Sequence, residues 1–230
     1  MIEIRNKQEK IREASRNFYD KATHSFSRTR NFWWNDLNFI KEYVSEKDEV
    51  LDFGCGNGRL LELLNKTNID YTGVDISRNL LKIATQKYPA KKFIFIDTEN
   101  VLPFKNETFD KVFAIAVFHH FNPKMAKNTL SEIKRVVKKD GIVVITAWYL
   151  WETKHKKFLW RNFLTGRFTF LTNVTFEDAE NTYQRPCYFW RKSQLEKIIK
   201  QNGFDVEKNG FSYDEKNNKK RNIYFICKKK

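Results

Sequence analysis

The sequence has no long apolar segment, and this absence bears on where the protein works. No run of residues approaches the ~18–20 consecutive apolar positions that a membrane-spanning helix needs. The N-terminal stretch MIEIRNKQEKIREASRNFYD is charged throughout and lacks the apolar core of a signal peptide. We therefore expect no transmembrane segment and a cytoplasmic protein.

Cysteine is also scarce. The 3 cysteines are Cys55, Cys187 and Cys227, and their spacing contains no close pair. Such spacing argues against a disulfide framework and against a cysteine-based zinc site. His119 and His120 are adjacent but far along the chain from any cysteine, so we predict no metal ligands.

Acidic residues are outnumbered by basic ones. The chain has 28 Asp and Glu residues against 43 Lys and Arg residues, which gives a formal net charge of +15. This excess favours an anionic partner, and nucleic acid is the usual one. Compositional bias is the alternative, because the chain is also rich in Lys, Asn, Ile and Phe. The sequence does not indicate an oligomeric state.

The middle of the chain alternates between apolar runs and helical patterns. The runs that predict strands are DEVLDFG, DYTGVDIS, KKFIFID, DKVFAIAVF and GIVVITAW. They are continuously apolar, as is typical of parallel strands covered on both faces. Two further strands, FDVEKNGFSYD and RNIYFICKK, flank a polar turn and predict a hairpin. We therefore predict an α/β fold: a Rossmann-like, doubly wound, seven-stranded sheet, mostly parallel, with a C-terminal antiparallel hairpin.

We expect one domain over residues 1–230, with two additions to the alternating pattern. Residues 1–45 form a helical lead-in, with helices over 1–21 and 33–45 and a loop at THSFSRTRNF between them. Residues 149–190 form an insertion in which aromatic and basic residues are mixed. Three interpretations of this insertion stay open: a helix packed on the sheet, an RNA contact, or a helix on a membrane surface.

A glycine turn follows the first strand, in the stretch VLDFGCGNGRLLELL. Such a turn resembles the dinucleotide-binding fingerprint, but Arg59 stands where its third glycine is needed. Asp52 precedes Gly54 by two residues, and an acid there would repel a pyrophosphate. A cationic cofactor without phosphates fits better, and S-adenosylmethionine has a sulfonium and an ammonium group.

Two more acids end the next two strands. Asp75, 19 residues after Gly56, can accept hydrogen bonds from both hydroxyls of a ribose. Asp97 can accept from the amino group of an adenine. Because the carboxyl ends of parallel strands meet at one edge of the sheet, we expect the acids to line one crevice. The full set of predicted cofactor-binding residues is Asp52, Gly54, Gly56, Asp75, Ile76, Asp97 and Ala116.

These motifs resemble those of the class I S-adenosylmethionine-dependent methyltransferases. LDFGCGNG is similar to the first motif of that family, GVDIS to the second, and LPFKNETFDKVFAIAVFHHF to the third and fourth. The resemblance covers residues 49–148 and resumes in the final hairpin. It implies a methyl-transferring enzyme with S-adenosylmethionine as cofactor, and it leaves the acceptor open.

A narrower resemblance is to the tRNA wobble-uridine carboxymethyl methyltransferases. It is carried by THSFSRTRNFWW, by IAVFHHF and by RPCYFWRKSQLEKIIKQNGFDVEKNGF. It implies tRNA as the partner, esterification of a carboxymethyl group on the wobble uridine, and a small zinc-binding activator protein. The residues that match family positions are Arg30, His119, His120, Arg185 and Arg191, of which we take Arg30, His120 and Arg191 as catalytic candidates.

The sequence departs from that narrower family in two places. The loop between Asp97 and Pro103 is one residue longer, and a terminal Arg-Asp-Asn motif appears as KKRNIY, so that Arg221 and Asn222 match it only approximately. These departures leave the fold prediction intact and put the particular tRNA in question.

Methyl transfer to a carboxylate fits the residue types present. A carboxylate is already nucleophilic, so it needs placement and cations, which arginine supplies, rather than a general base. The motif N/D-P-P-Y of methyltransferases acting on exocyclic nitrogens is absent. Cys187 is misplaced for a cytosine nucleophile, and we interpret it as a packing residue. The alternatives are a methyltransferase for a quinone- or lipid-like small molecule, and a scaffold that binds cofactor without catalysis.

Overall fold

A seven-stranded sheet forms the centre of the computed structural model, which describes residues 2–29, 32–64, 67–151 and 170–230. Its strands in chain order are β1 (Glu49–Phe53), β2 (Asp70–Asp75), β3 (Lys92–Phe95), β4 (Phe109–Ala114), β5 (Val137–Trp148), β8 (Phe204–Tyr213) and β9 (Lys220–Lys229). Their spatial order is β3-β2-β1-β4-β5-β9-β8. The first five strands are parallel, and β9 runs antiparallel to both β5 and β8. The predicted fold class is confirmed.

Both faces of the sheet are buried, as the continuous apolar runs predicted. Within β1, Val50 and Leu51 belong to different hydrophobic clusters, and in β4 the same holds for Val112 and Phe113. Successive side chains of a strand point to opposite faces, so each cluster lies on one face. The sheet is therefore covered on both sides.

Six α-helices and two short 3-10 helices accompany the sheet in the described residues. The α-helices are α1 (Ile2–Lys21), α2 (Thr23–Arg28), α3 (Leu60–Leu64), α4 (Arg78–Lys87), α5 (Pro123–Val136) and α6 (Lys192–Gln201), and the 3-10 helices cover Asn35–Tyr43 and Phe118–His120. None of the helices in these ranges is long and apolar enough to cross a membrane.

The start of α5 is set by its own sequence. The side chain of Asn122 accepts from the backbone N–H groups of Lys124 and Met125, and a proline follows Asn122 at the first helical position.

The predicted element boundaries are wrong in three places. The segment THSFSRTRNF was expected to be a loop, but it contains α2. The helix predicted over 33–45 is a 3-10 helix over Asn35–Tyr43. The helical pattern of PKMAKNTLSEIKRVVKKD predicts a helix as far as Asp140, but α5 ends at Val136, because β5 begins at Val137.

The 149–190 insertion contains a separate two-stranded sheet, which the sequence did not reveal. Its strands β6 (Leu171–Glu177) and β7 (Thr182–Tyr188) are antiparallel. Rings on this pair contact α1, since Phe176 and Tyr183 lie 6.1 and 6.3 Å from Phe18 in T-shaped arrangements. The packed or membrane-surface helix that the sequence leaves open concerns a stretch of which residues 152–169 lie outside the described residues.

Helix α1 lies against the carboxyl-terminal ends of β2 and β3. Arg12 pairs with Glu99, Arg16 donates to the backbone carbonyl of Asp97, and Asp20 accepts from Ser77. One side of α1 thus meets the main sheet while the other meets the β6–β7 pair. The helix borders the crevice in which open α/β sheets bind ligands.

Candidate active site

The turn after β1 has the backbone conformation that its glycines permit. Gly54 and Gly56 have φ angles of 76° and 56°, in the left-handed region. A Cβ on Gly54 would lie 2.5 Å from a methyl carbon of Val117, so no side chain fits there. Arg59, which stands where the third fingerprint glycine is needed, places its guanidinium 3.6 Å from the centre of the Trp34 ring.

Two buried carboxylates flank this turn. Asp52 accepts a hydrogen bond of 2.7 Å from the Tyr71 hydroxyl, and burial raises the pKa of Asp52 to about 7. Asp75 accepts from the backbone N–H groups of Gly56 and Ser77, both at 2.8 Å. Burial raises the pKa of Asp75 to about 6, and these backbone hydrogen bonds offset part of that rise.

A cavity that is partly open to solvent lies over the turn, and its empty space, with the solvent-open part included, is about 1100 Å³. Six of the seven predicted cofactor-binding residues line it: Asp52, Gly54, Gly56, Asp75, Ile76 and Ala116. The residues fit S-adenosylmethionine, because buried carboxylates suit a ligand with cationic groups and ribose hydroxyls. They would disfavour the pyrophosphate of a dinucleotide.

Asp97 is the exception among the predicted set. Its side chain is 79% exposed, lies 3.4 Å from Arg16 and does not line the cavity. Glu99, two residues on, lines the cavity instead, and Arg12 donates to its two carboxylate oxygens at 2.7 and 2.9 Å. The strand pattern located the correct loop, but β3 ends at Phe95, and the loop beyond it turns Asp97 towards solvent.

The other end of the cavity holds a hydrogen-bonded group of three side chains. His120 contacts the Pro186 carbonyl through Nδ1 at 3.2 Å and the Tyr19 hydroxyl through Nε2 at 2.7 Å. Arg185 donates to the same Tyr19 hydroxyl at 2.9 Å. Burial, together with the nearby Arg185 charge, lowers the pKa of His120 to about 3, so the imidazole is neutral.

Arg185 is a buried cation. It is 2% exposed, and it forms no ion pair with any carboxylate in the described parts of the chain. Its guanidinium lies 4.3 Å from the centre of the Trp148 ring and 4.8 Å from that of Phe18. Its Nε has no hydrogen-bond partner among the described residues. A buried charge of this kind is costly unless an anion joins it.

The remaining sequence candidates lie elsewhere. Arg191 is exposed at the N-terminal end of α6, 5.4 Å from the Trp151 ring, and it does not line the cavity. Arg30 lies outside the described residues. Arg221 and Asn222 bind Asp36 at 3.3 Å each and so tie the C-terminal hairpin to the first 3-10 helix. Of the two catalytic candidates among the described residues, His120 lines the cavity and Arg191 does not.

Sequence reasoning missed the contribution of α1 and gave Arg185 no role. Tyr19 and Arg185 come together although 166 residues separate them, and no local pattern predicts such a contact. His119, for which we predicted no role, lines the cavity and stacks on Trp148 with a centroid distance of 4.4 Å. The sequence signals for Arg185 were its match to a family position and its place in the aromatic stretch RPCYFW.

The fold also brings Cys187 to the histidine pair. Ligand atoms of His119, His120 and Cys187 all lie within 4.8 Å of one another, which corrects the expectation that the histidines have no cysteine near them. A cation is nonetheless disfavoured here. Both nitrogens of His120 have partners, Arg185 adds positive charge, and burial raises the pKa of the Cys187 thiol to about 12.

Fold and site together define a protein that binds a nucleoside cofactor lacking phosphates. Comparison with known proteins takes this further. Residues 51–145 match a family described as "Methyltransferase domain". The chain is 31% identical over 201 residues to an uncharacterised protein of Methanocaldococcus jannaschii, covering 82% of this chain and 75% of that protein. The chain belongs to the class I S-adenosylmethionine-dependent methyltransferases, and S-adenosylmethionine is its cofactor.

Relatives with named activities point to two acceptors. A tRNA (carboxymethyluridine(34)-5-O)-methyltransferase of Arabidopsis thaliana is 36% identical over 131 residues, which are 56% of this chain and 31% of that protein. A ubiquinone/menaquinone biosynthesis C-methyltransferase of Campylobacter jejuni is 29% identical over 152 residues, 60% of this chain and 63% of that protein. The chain thus spans about a third of the plant relative and under two thirds of the bacterial one.

Solved structures agree on the fold. An S-adenosylmethionine-dependent methyltransferase from Methanosarcina mazei superimposes with a TM-score of 0.70 at 20% identity, over 86% of this chain and 98% of that one. A putative methyltransferase from Haloferax volcanii was solved in complex with the Trm112 methyltransferase activator. It superimposes with a TM-score of 0.62 at 16% identity, over 93% of this chain and 96% of that one.

Proposed function

We propose that this enzyme methylates tRNA, and that its acceptor is the carboxylate of a carboxymethyl group on the wobble uridine. The observation that carries the proposal is Arg185, a buried cation without an acidic partner among the described residues, which lines the same cavity as the glycine turn. An acceptor that brings its own carboxylate would supply the missing negative charge. The name of the Arabidopsis relative supports the same acceptor.

The chain's own residues would bind and orient rather than move protons. S-adenosylmethionine, when bound, supplies an electrophilic methyl group. Arg185, whose guanidinium lies 4.3 Å from the centre of the Trp148 ring, would orient the acceptor carboxylate. His120 is a poor general base, because Nδ1 and Nε2 are both engaged and its pKa is low. An ester-forming reaction does not need such a base.

The partner side of the proposal rests on charge and on relatives. The net charge of +15 suits a polyanion, and a tRNA acceptor implies RNA binding and a cytoplasmic location. A small activator protein is a further proposed partner, supported by the similarity to the Haloferax chain that was solved with its Trm112 activator. Co-expression with a Trm112-like protein of the same organism, followed by size exclusion, would test that partner directly.

A small-molecule acceptor is the second candidate. The similarity to the Campylobacter quinone C-methyltransferase favours it, as do the aromatic rings around the cavity. Carbon methylation, however, requires loss of a ring proton, and His120 is poorly suited to accept one.

The test uses labelled S-adenosylmethionine and tRNA from cells that accumulate carboxymethyluridine. We expect label that mild alkali releases, as it releases an ester. Arg185→Gln should lower kcat/KM for tRNA by about 10- to 100-fold, since a charge-assisted hydrogen-bonded pair is lost. Cofactor affinity, measured by calorimetry, should stay within about threefold, which also checks that the variant folds.

Arg191→Gln is the matched control, because Arg191 is exposed and outside the cavity. It should leave kcat/KM within about twofold, as is usual for a surface substitution. Alkali-stable label would indicate base or ribose methylation and contradict the proposal. Labelling of quinone precursors instead of tRNA would favour the second candidate.

A further inference from the structure

The hydrogen bonds around Tyr19 have a defined direction. A backbone carbonyl can only accept, so the contact with Pro186 requires His120 to carry its proton on Nδ1. Nε2 of the neutral ring is then an acceptor, and the Tyr19 hydroxyl donates to it. Arg185 can only donate, and its Nη1 donates to the oxygen of the same hydroxyl. One polarised chain therefore runs from Arg185 through Tyr19 and His120 to the backbone of β7.

This chain restrains a side chain that would otherwise have freedom to rotate. Arginine has a long stem, and the contacts of Arg185 with Phe18 and Trp148 are with aromatic rings, which fix the direction of the guanidinium less sharply than a hydrogen bond does. The bond to Tyr19 removes this freedom at Nη1. Nε has no hydrogen-bond partner in the described residues but is itself buried, so further hydrogen bonds to an acceptor would come from the Nη groups.

We propose that Tyr19 is a positioning residue, which holds Arg185 in the orientation that presents its remaining donors to the acceptor anion. The inference rests on the proposed role of Arg185. It also gives His120, our sequence candidate for catalysis, a different role, because His120 accepts from Tyr19 and thereby fixes the direction of the hydroxyl.

The proposal makes the acceptor site depend on α1. Tyr19 is in the last turn of α1, and the helix is fixed one residue later, where the Asp20 carboxylate accepts from Ser77 at 2.6 Å. Ser77 lies two residues after Asp75, the last residue of β2, and its side chain caps the start of α4. The same helix, α1, thus contacts Ser77 beside the cofactor residues and, through Tyr19, Arg185 beside the acceptor.

Tyr19→Phe tests the hydroxyl without changing the ring. We expect the KM for tRNA to rise about tenfold, because Arg185 loses a hydrogen bond to a charged group, while kcat falls less. Affinity for S-adenosylmethionine should stay within about threefold. Tyr183→Phe is the matched control, since Tyr183 also packs on Phe18 but lies outside the cavity. It should leave both constants unchanged.

A double-mutant cycle separates positioning from a general structural effect. If Tyr19 acts through Arg185, adding Tyr19→Phe to Arg185→Gln should change kcat/KM by less than about twofold. Full additivity of the two losses would overturn the proposal.

A nitrogen-15 NMR measurement tests the chain of hydrogen bonds without any acceptor. We expect the Nδ1–H tautomer of His120 in the wild type, and a shifted Arg185 Nη resonance in Tyr19→Phe. An Nε2–H tautomer, or an Arg185 resonance that does not move, would overturn the positioning role even in an active enzyme. If the wild type does not esterify carboxymethyluridine while both NMR signatures hold, the proposed acceptor is wrong and the positioning of Arg185 by Tyr19 stands.

Discussion

At the scale of single residues, the buried carboxylate of Asp52 controls how stability responds to pH. Its pKa is raised from 3.8 to about 7 in the folded protein, mainly by burial and despite the hydrogen bond from Tyr71. Between these two values the folded state keeps a proton that the unfolded state releases. Stability of the protein without cofactor must therefore fall as pH rises through this range.

Asp52→Asn should reduce this pH dependence. The amide cannot ionise, so the variant should be more stable than the wild type at pH 8 by roughly 1–4 kcal/mol, and the advantage should vanish near pH 4. Calorimetric melting without cofactor from pH 4 to pH 8 measures this stability difference, because 1 kcal/mol shifts the melting temperature by ~2–4 °C. Asp97→Asn, at an exposed side chain, is the control. Melting curves that shift in parallel for wild type and Asp52→Asn would contradict the assignment.

At the scale of elements, α1 shows what sequence patterns can and cannot give. Its charged helical pattern predicted a helix over 1–21, and the helix spans Ile2–Lys21. Where it docks could not be predicted, since docking depends on pairs such as Arg12 and Glu99, 87 residues apart. Parallel strands and the glycine turn were predictable because their signals are local.

The elements that sequence reasoning missed have a common physical cause. The β6–β7 pair was hidden because β7 buries four consecutive residues instead of alternating as a half-buried strand does. Helix α2 was hidden because THSFSR is rich in residues that favour turns. In both cases tertiary contacts outweigh local preference.

Removing the cation of the Arg12–Glu99 pair should loosen α1. In Arg12→Gln the Glu99 carboxylate, whose side chain is 4% exposed, would stay buried without its partner. We expect a loss of about 1–3 kcal/mol, with faster hydrogen exchange of α1 amides and weaker cofactor binding. Hydrogen-exchange mass spectrometry and calorimetry measure these effects.

The control for this element is one turn away on the same helix. Arg16 pairs with the exposed Asp97 at 3.4 Å, and exposed pairs contribute little. Arg16 also donates to the backbone carbonyl of Asp97, so Arg16→Gln should accelerate exchange in α1, but less than Arg12→Gln does. Equal effects of the two substitutions would mean that burial of Glu99 does not govern the docking of α1.

At the scale of the whole molecule, the net charge of +15 predicts how the two ligands respond to salt. Binding of tRNA releases counterions, so KM for tRNA should rise at least about tenfold between about 50 and 200 mM KCl. S-adenosylmethionine binds in a cavity with mainly short-range contacts, and its affinity should change little. Steady-state kinetics at several salt concentrations measure both. An activity insensitive to salt would favour the small-molecule acceptor.

The division of the cavity between two parts of the chain has a consequence for how such enzymes diversify. The cofactor-lining residues from Asp52 to Ala116 all fall within residues 51–145, the part that matches the methyltransferase family. Tyr19, Trp148 and Arg185, which we assign to the acceptor end, fall outside it, although their neighbour His120 lies within it. After a gene duplication, one copy could exchange its acceptor through substitutions in α1 and β7 while keeping its methyl donor.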